Sequence, residues 1–171
     1  LLNMKKFIQI LILMLTIGVS TNTYATSINA STFGWNATNA TTAFVNAINS
    51  SYDTIIVDLQ ISDWIIQPTV FNSLNNKTII FQNGVNLVAK PGAFSNIYAC
   101  LMRMNECNNV SIIGYGAKFI MQKNEYIIYN NSEWRHCINL VSCNNIDISG
   151  LKLMDSGGDG IIIASYTGVT T

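Results

Sequence analysis

The stretch DSGGDGIII, residues 155–163, places two carboxylates on either side of two glycines. Two neighbouring carboxyl groups can work as a general acid and a general base, and Asp159 is the stronger candidate, followed by Asp155. The same stretch can instead form a tight bend before a β-strand. In that interpretation Gly157 and Gly158 adopt backbone angles that other residues resist, and Asp159 hydrogen-bonds the bend. The residues alone leave both interpretations open.

The four cysteines form a second group that could do chemistry. They lack Cys-x-x-Cys spacing, and the chain has a single histidine, so no metal site is predicted. They occupy equivalent places in two similar segments, which predicts ladders of buried free thiols. A disulfide is the alternative in an exported protein. These residues are Cys100, Cys107, Cys137 and Cys143.

The first 25 residues have the pattern of a secretory signal peptide. Lys5 and Lys6 precede an apolar run over 7–19, and small residues end at Ala25. A membrane anchor is the alternative, but the run is short for a bilayer, which needs about 20 apolar residues. We therefore expect a secreted or periplasmic protein, with no membrane attachment after the signal is removed.

Charge is sparse and balanced, with nine basic and nine acidic residues and 11% charged residues overall. Without its signal peptide, the chain would lose two of the basic residues. No basic patch remains to bind a phosphate backbone, which argues against nucleic acid as a partner.

One segment has helical periodicity. Within 39–51, the residues Ala40, Phe44, Val45 and Ile48 share one stripe, which predicts a short amphipathic helix with Asn39 as its N-cap. The preceding residues, 26–37, are polar and predicted to be extended.

Beyond Ser51 the chain consists of short β-rich runs separated by Asn, Gly and Asp. Several alternate apolar and polar residues, as half-buried strands do, and no helical segment separates them. This excludes a doubly wound α/β fold. The predicted strands are 54–59, 64–68, 77–82, 85–90, 100–104, 109–114, 117–122, 137–141, 145–150, 151–155 and 160–165.

These runs repeat. Residues 100–121 align with 137–154 through their Cys-Asn-Asn triplets, and 75–88 is a looser copy. A β repeat of about 23 residues with three short strands predicts a parallel β-helix, an all-β solenoid. Its inward side chains would form ladders of Ile on Ile, Cys on Cys and Asn on Asn. Asn suits the bends because it tolerates left-handed backbone angles.

A solenoid needs its open ends covered, and the helix within 39–51 is placed to cap the first coil. We therefore divide the chain into a signal peptide (1–25), an N-terminal extended segment with the capping helix (26–53) and β-helix coils (54–171). The chain stops just after a strand, so we expect the coils to be incomplete, truncated at the C-terminus.

Several segments together resemble one known group. FGWNATNATTAFVNAI, TIIVDL, GAKFIM, EWRH and DSGGDGIII are similar to the N-terminal part of secreted right-handed parallel β-helix proteins of the pectin lyase-like superfamily. The resemblance covers nearly all of the chain after the signal peptide and implies a right-handed fold. The superfamily includes lyases, polygalacturonases and proteins without catalytic activity. The polygalacturonase motifs, including the Asp-Asp pair and Gly-His-Gly, are absent here.

The resemblance implies a polysaccharide as partner, and the residue types suggest which groups could act on it. A glycoside hydrolase would use Asp155 and Asp159 as its carboxylate pair. A lyase would use carboxylates to hold Ca²⁺ and a Lys or Arg as base, so Ca²⁺ is a cofactor only on that alternative.

The motif EWRH lies in the long insertion 123–136, and long excursions from a solenoid often wall a groove. Trp134 could stack on a sugar ring, Arg135 could pair with a uronate carboxylate, and His136 could transfer protons. Glu133 is assigned to substrate binding together with Trp134 and Arg135. The structural alternative is that Trp134 packs the loop onto the coil while Arg135 pairs with Glu133.

The sequence thus predicts a secreted carbohydrate-active β-helix protein that cleaves a polysaccharide by hydrolysis or β-elimination, monomeric when full length. The alternative is a non-catalytic extracellular protein that binds glycans or adheres to surfaces. Whether the chain is an enzyme, and whether it would be a lyase or a hydrolase, is left open by the sequence.

Overall fold

The computed structural model describes residues 26–129 and 132–165. The predicted signal peptide lies outside these residues. Within the described part of the chain, no helix is both long and apolar enough to cross a membrane.

The described chain is built mainly of short strands, with two α-helices and one 3₁₀ turn (Ala30–Phe33). The helices are α1 (Thr41–Ile48) and α2 (Lys123–Tyr129). The strands are β1 (Ser27–Asn29), β2 (Thr54–Val57), β3 (Trp64–Ile66), β4 (Thr69–Asn72), β5 (Asn75–Phe81), β6 (Asn86–Ala89), β7 (Met102–Asn105), β8 (Asn108–Ile113), β9 (Lys118–Ile120), β10 (Ile138–Val141), β11 (Asn144–Ser149), β12 (Lys152–Met154) and β13 (Ile161–Ala164).

The strands form three sheets in which every pairing is parallel. Their orders are β1-β2-β5-β8-β11, β3-β6-β9-β12 and β4-β7-β10-β13. From β2 onward the chain visits the three sheets in turn, so each round adds one strand to each sheet. This solenoid-like arrangement is the one expected of a parallel β-helix. Every predicted strand region contains an observed strand, whereas β1, β4 and α2 were not predicted as such.

The inward side chains stack in ladders, as predicted. Ile55, Ile79 and Ile112 pair in register across three neighbouring strands of the first sheet, and all three are fully buried. Burying each such side chain contributes about 1.5–3 kcal/mol. The alternation of apolar and polar residues within each strand therefore accounts for the core.

Helix α1 packs its apolar face onto the first coil. Phe44 lies edge-on to Trp64 and Phe71, with ring centroids 6.4 Å and 6.0 Å apart. The helix begins at Thr41 with Ala40 at the N-cap, so the prediction of Asn39 as N-cap is one residue too early. The Asn39 Oδ1 nevertheless accepts a hydrogen bond from the Thr41 N–H at 3.2 Å.

The predicted Asn ladder is confirmed at one bend. The Asn109 Nδ2 donates to Asn76 Oδ1 at 3.0 Å, and the Asn145 Nδ2 donates to Asn109 Oδ1 at 2.6 Å. All three residues have φ of 51–53°, in the left-handed region that Asn tolerates better than most residues. The amide ladder and the backbone angle thus select the same residue type.

Asn109→Ala should lower the free energy of unfolding by about 1–3 kcal/mol, because it removes both amide hydrogen bonds and strains the left-handed angle. Asn109→Gly is the control, since glycine adopts this angle freely and loses only the ladder. Urea denaturation measures both variants. An Ala variant no less stable than the Gly variant would contradict the role of the backbone angle.

The predicted cysteine ladder is confirmed for one of its two pairs. Cys107 and Cys143 occupy matching positions on neighbouring coils, but Cys137 lies opposite Leu101, and Cys100 opposite His136. One extra residue in the earlier segment shifts its first cysteine out of register. All four thiols are free, and only Cys143 is partly exposed. Burial is the main cause that raises the pKa of the Cys137 thiol to about 12, with smaller contributions from the nearby Asp155 and Cys100.

A raised thiol pKa in the folded state predicts loss of stability in alkali. Between about pH 9 and pH 12 the unfolded chain loses the Cys137 proton while the folded chain keeps it, so the free energy of unfolding falls as pH rises. Cys137→Ala should flatten this fall, although the variant is less stable at neutral pH. Denaturation at a series of pH values tests this, and an unchanged slope would contradict it.

The connections between the second and third sheets differ in length from coil to coil. Two residues join β3 to β4, whereas the stretches 90–101, 121–137 and 155–160 form longer loops in the following coils. Helix α2 lies within the longest of them. Because successive coils stack, these three loops come together at one corner of the solenoid.

Candidate functional site

A pocket of about 480 Å³ lies where the loops 121–137 and 155–160 meet. It brings EWRH and DSGGDG together, a proximity that the sequence did not determine. Four of the predicted site residues line it: Glu133, Trp134, His136 and Asp159. The other lining residues are Lys123, Ser156, Gly157, Gly158 and Ile162.

The two glycines permit this close approach. A Cβ on Gly158 would lie 2.0 Å from the Glu133 carbonyl oxygen, and one on Gly157 would lie 2.6 Å from the Tyr126 ring. Neither glycine has a positive φ, so the predicted role in unusual backbone angles is wrong. The residue with a left-handed angle in this stretch is Asp155, with φ of 54°. The glycines are needed because a side chain would collide with the neighbouring loop.

The two carboxylates of DSGGDG face different pockets. Asp159 is 71% exposed and lines the main pocket. Asp155 instead lines a smaller pocket of about 120 Å³ together with residues 121–124. The acidic residue that lines the main pocket together with Asp159 is Glu133, which the sequence assigned to substrate binding.

His136 is tied to Asp159 through the backbone. The Asp159 N–H donates to His136 Nδ1 at 3.0 Å, and the Asp159 Oδ2 lies 3.9 Å from the same nitrogen. Because Nδ1 accepts a hydrogen bond, the proton of the neutral imidazole lies on Nε2. Nε2 is buried and has no hydrogen-bond partner among the residues that the structure describes. The imidazole thus orients the backbone at Asp159 and has a free donor on its other side.

Trp134 presents its ring at the edge of the pocket and is 53% exposed. Its centroid lies 6.3 Å from the His136 ring and 6.2 Å from the Tyr98 ring. An exposed tryptophan beside polar groups is the usual means of holding a ring-shaped, partly apolar ligand.

Arg135 lies in the interior of the protein, not at the pocket wall where a uronate carboxylate could reach it. Its side chain is fully buried. Nε donates to the Phe94 carbonyl at 2.8 Å and Nη2 to the Ser95 carbonyl at 2.9 Å, while the guanidinium carbon lies 5.0 Å from the Tyr126 ring centroid. The structure therefore gives Arg135 a supporting role: it fastens the loop 121–137 to the loop 90–101.

Arg135→Met should lower the free energy of unfolding by about 2–4 kcal/mol, because two backbone carbonyls lose a charged donor inside the protein. Lys152→Met, on an exposed strand position, is the matched loss of a positive charge and should have little effect. Thermal unfolding compares the two. Equal stability of both variants would contradict the fastening role.

The described residues do not offer a clear metal site. Among residues 26–129 and 132–165, no three His, Cys, Asp or Glu side chains lie close enough to hold a metal ion.

Comparison with known proteins gives a match in structure only. The chain matches no family model and no curated protein. It does match the crystal structure of a "putative glycosyl hydrolase" from Parabacteroides merdae ATCC 43184, with a TM-score of 0.66 and 15% sequence identity over 81% of this chain and 69% of that one. At this identity the match supports the parallel, solenoid-like fold. Fold and pocket together define a parallel β-solenoid protein with a polar, aromatic-edged pocket at one corner.

Proposed function

We propose that this chain belongs to a secreted carbohydrate-active protein that hydrolyses a polysaccharide in the corner pocket. The observation that carries the proposal is the pair Glu133 and Asp159 in one pocket, beside the exposed ring of Trp134. Glycoside hydrolysis uses two carboxyl groups on either side of the scissile bond. The fold of the Parabacteroides merdae protein, described as a "putative glycosyl hydrolase", is in keeping with this proposal.

In the proposed reaction, one carboxyl group protonates the leaving glycosidic oxygen and the other carboxylate removes a proton from the attacking water. The sugar ring would stack on Trp134. His136 would act as a positioning residue, because its hydrogen bond to the Asp159 N–H holds the backbone that carries this carboxylate.

The finer features of the fold are part of the same proposal. We take the solenoid to be right-handed, because parallel strand-to-strand connections are right-handed in about 98% of cases. We take α1 to cap the first coil, because its buried face packs on the strands of that coil. Export by the segment 1–25 and a monomeric full-length protein complete the proposal.

The second candidate is a glycan-binding protein without catalytic activity. The high exposure of Asp159 favours it, since a hydrolase usually encloses its reacting groups away from bulk water. This candidate predicts glycan binding that survives Asp159→Asn, with no turnover.

The deciding experiment incubates the purified full-length protein with a panel of uronate and neutral polysaccharides. Hydrolysis predicts new reducing ends without the ultraviolet absorbance of unsaturated products. Unsaturated products would indicate β-elimination instead. Binding without any product would favour the non-catalytic candidate. The absence of both binding and product would reject a carbohydrate function.

A further inference from the structure

A second pocket of about 200 Å³ adjoins the first, and three residues line both: Trp134, His136 and Ile162. Its own residues come largely from the outward face of the third sheet and from the loop 90–101. They are Tyr98, Arg103, Asn139, Val141, Ala164 and Ser165. The two pockets therefore form one continuous depression that passes Trp134.

Within residues 26–129 and 132–165, two buried polar atoms on residues lining this second pocket have no hydrogen-bond partner: the His136 Nε2 and the Asn139 Oδ1. His136 is only 2% exposed. With Nδ1 accepting from Asp159, Nε2 is a donor in the neutral imidazole, and the amide oxygen is an acceptor. Buried polar atoms in folded proteins are nearly always hydrogen-bonded. An unpaired donor and an unpaired acceptor beside one pocket therefore favour a ligand that can both accept and donate hydrogen bonds. A sugar hydroxyl both donates and accepts.

Aromatic rings border the same pocket. Tyr98 is 59% exposed, and its ring lies 6.2 Å from that of Trp134 at an angle of 52°. Arg103 adds donors on the sheet side of the pocket. Partly exposed rings with a few polar groups between them suit a ligand that has an apolar face and a polar rim.

We propose that this second pocket, which we call the Tyr98 pocket, binds one pyranose unit of the glycan as a separate sugar position. The unit would lie against Tyr98 and Trp134 and exchange hydroxyl hydrogen bonds with His136 and Asn139. This inference rests on the proposed carbohydrate function. It makes the minimal tight ligand a disaccharide that spans both pockets, because each pocket holds one unit on either side of Trp134.

The test is calorimetric titration of the full-length protein with mono-, di-, tri- and tetrasaccharides of glucose, galactose, xylose, mannose and galacturonate. The natural protein should bind at least one disaccharide more tightly than its monosaccharide. Asn139→Leu and Tyr98→Ala should each weaken disaccharide binding by about 3- to 10-fold. Tyr98→Phe keeps the ring and should still bind the disaccharide more tightly than the monosaccharide.

Tyr115→Ala is the matched control, because Tyr115 is 70% exposed and lines neither pocket. Thermal unfolding of each variant checks that the fold is intact. If sugars bind and Trp134→Ala abolishes binding while Tyr98→Ala and Asn139→Leu do not alter it, the Tyr98 pocket is not a sugar position and the proposed function stands. If no sugar of any length binds the natural protein, both the inference and the proposed function are wrong.

Discussion

Asp159→Asn is expected to lower polysaccharide hydrolysis by about 100-fold or more, because the amide can neither donate a carboxyl proton nor accept one from water. The substitution keeps the size of the side chain and leaves the backbone hydrogen bond to His136 in place. Stability and glycan binding should therefore change little. Initial rates on the best substrate from the polysaccharide panel give the measurement.

Two companion variants sharpen this result. Glu133→Gln should cause a loss of similar order, since Glu133 is the other acidic residue that lines the pocket. Asp155→Asn is the matched control and should retain activity, because Asp155 lines the smaller neighbouring pocket. If Asp155→Asn lowers activity as much as Asp159→Asn does, the catalytic pair would be Asp155 and Asp159, as the sequence suggests. The pair of Glu133 and Asp159 would then be wrong.

Gly158→Ala should disrupt the site itself. The new Cβ would lie 2.0 Å from the Glu133 carbonyl oxygen, which is backbone and cannot rotate away. The two loops must separate, and the hydrogen bond from the Gly158 N–H to the Arg135 carbonyl, 3.0 Å long, would be strained or lost. We expect a loss of about 1–3 kcal/mol in stability from overpacking, together with loss of glycan binding.

Gly160→Ala is the control for this prediction. It lies in the same loop, but its added Cβ would meet the flexible Cδ1 of Leu153 at 3.3 Å and the Leu153 Cβ at an ordinary 3.6 Å. Thermal unfolding and glycan titration of both variants give the comparison. The packing explanation fails if Gly158→Ala unfolds and binds like Gly160→Ala.

The site illustrates why residue types alone mislead. EWRH contains four residues that could contact a ligand, and local sequence does not reveal which of them turn inward. Arg135 is buried because two carbonyls of the loop 90–101 lie within its reach, and that loop is about 40 residues away along the chain. Glu133 and Trp134 point toward solvent and the pocket instead. No pattern within the motif distinguishes these outcomes.

The repeat, by contrast, could be predicted in detail. Alternating apolar residues, the Cys-Asn-Asn triplets and the Asn-rich bends are local features, and the strands, the Ile ladder and the Asn ladder follow from them directly. The prediction that Cys100 and Cys137 pair is wrong because it tolerates a one-residue difference in segment length. A parallel ladder does not, because each residue faces a fixed partner.

The sequence by itself therefore determined the parallel solenoid and the two motifs at which chemistry could occur. Only the tertiary structure decided that these motifs share a pocket, that Glu133 and not Asp155 accompanies Asp159 there, and that the glycines serve close packing. The physical reason is that strand formation and stacking depend on short, repeated patterns. The corner pocket depends on how irregular loops of different length pack on one another, and each contact there joins residues far apart in the chain.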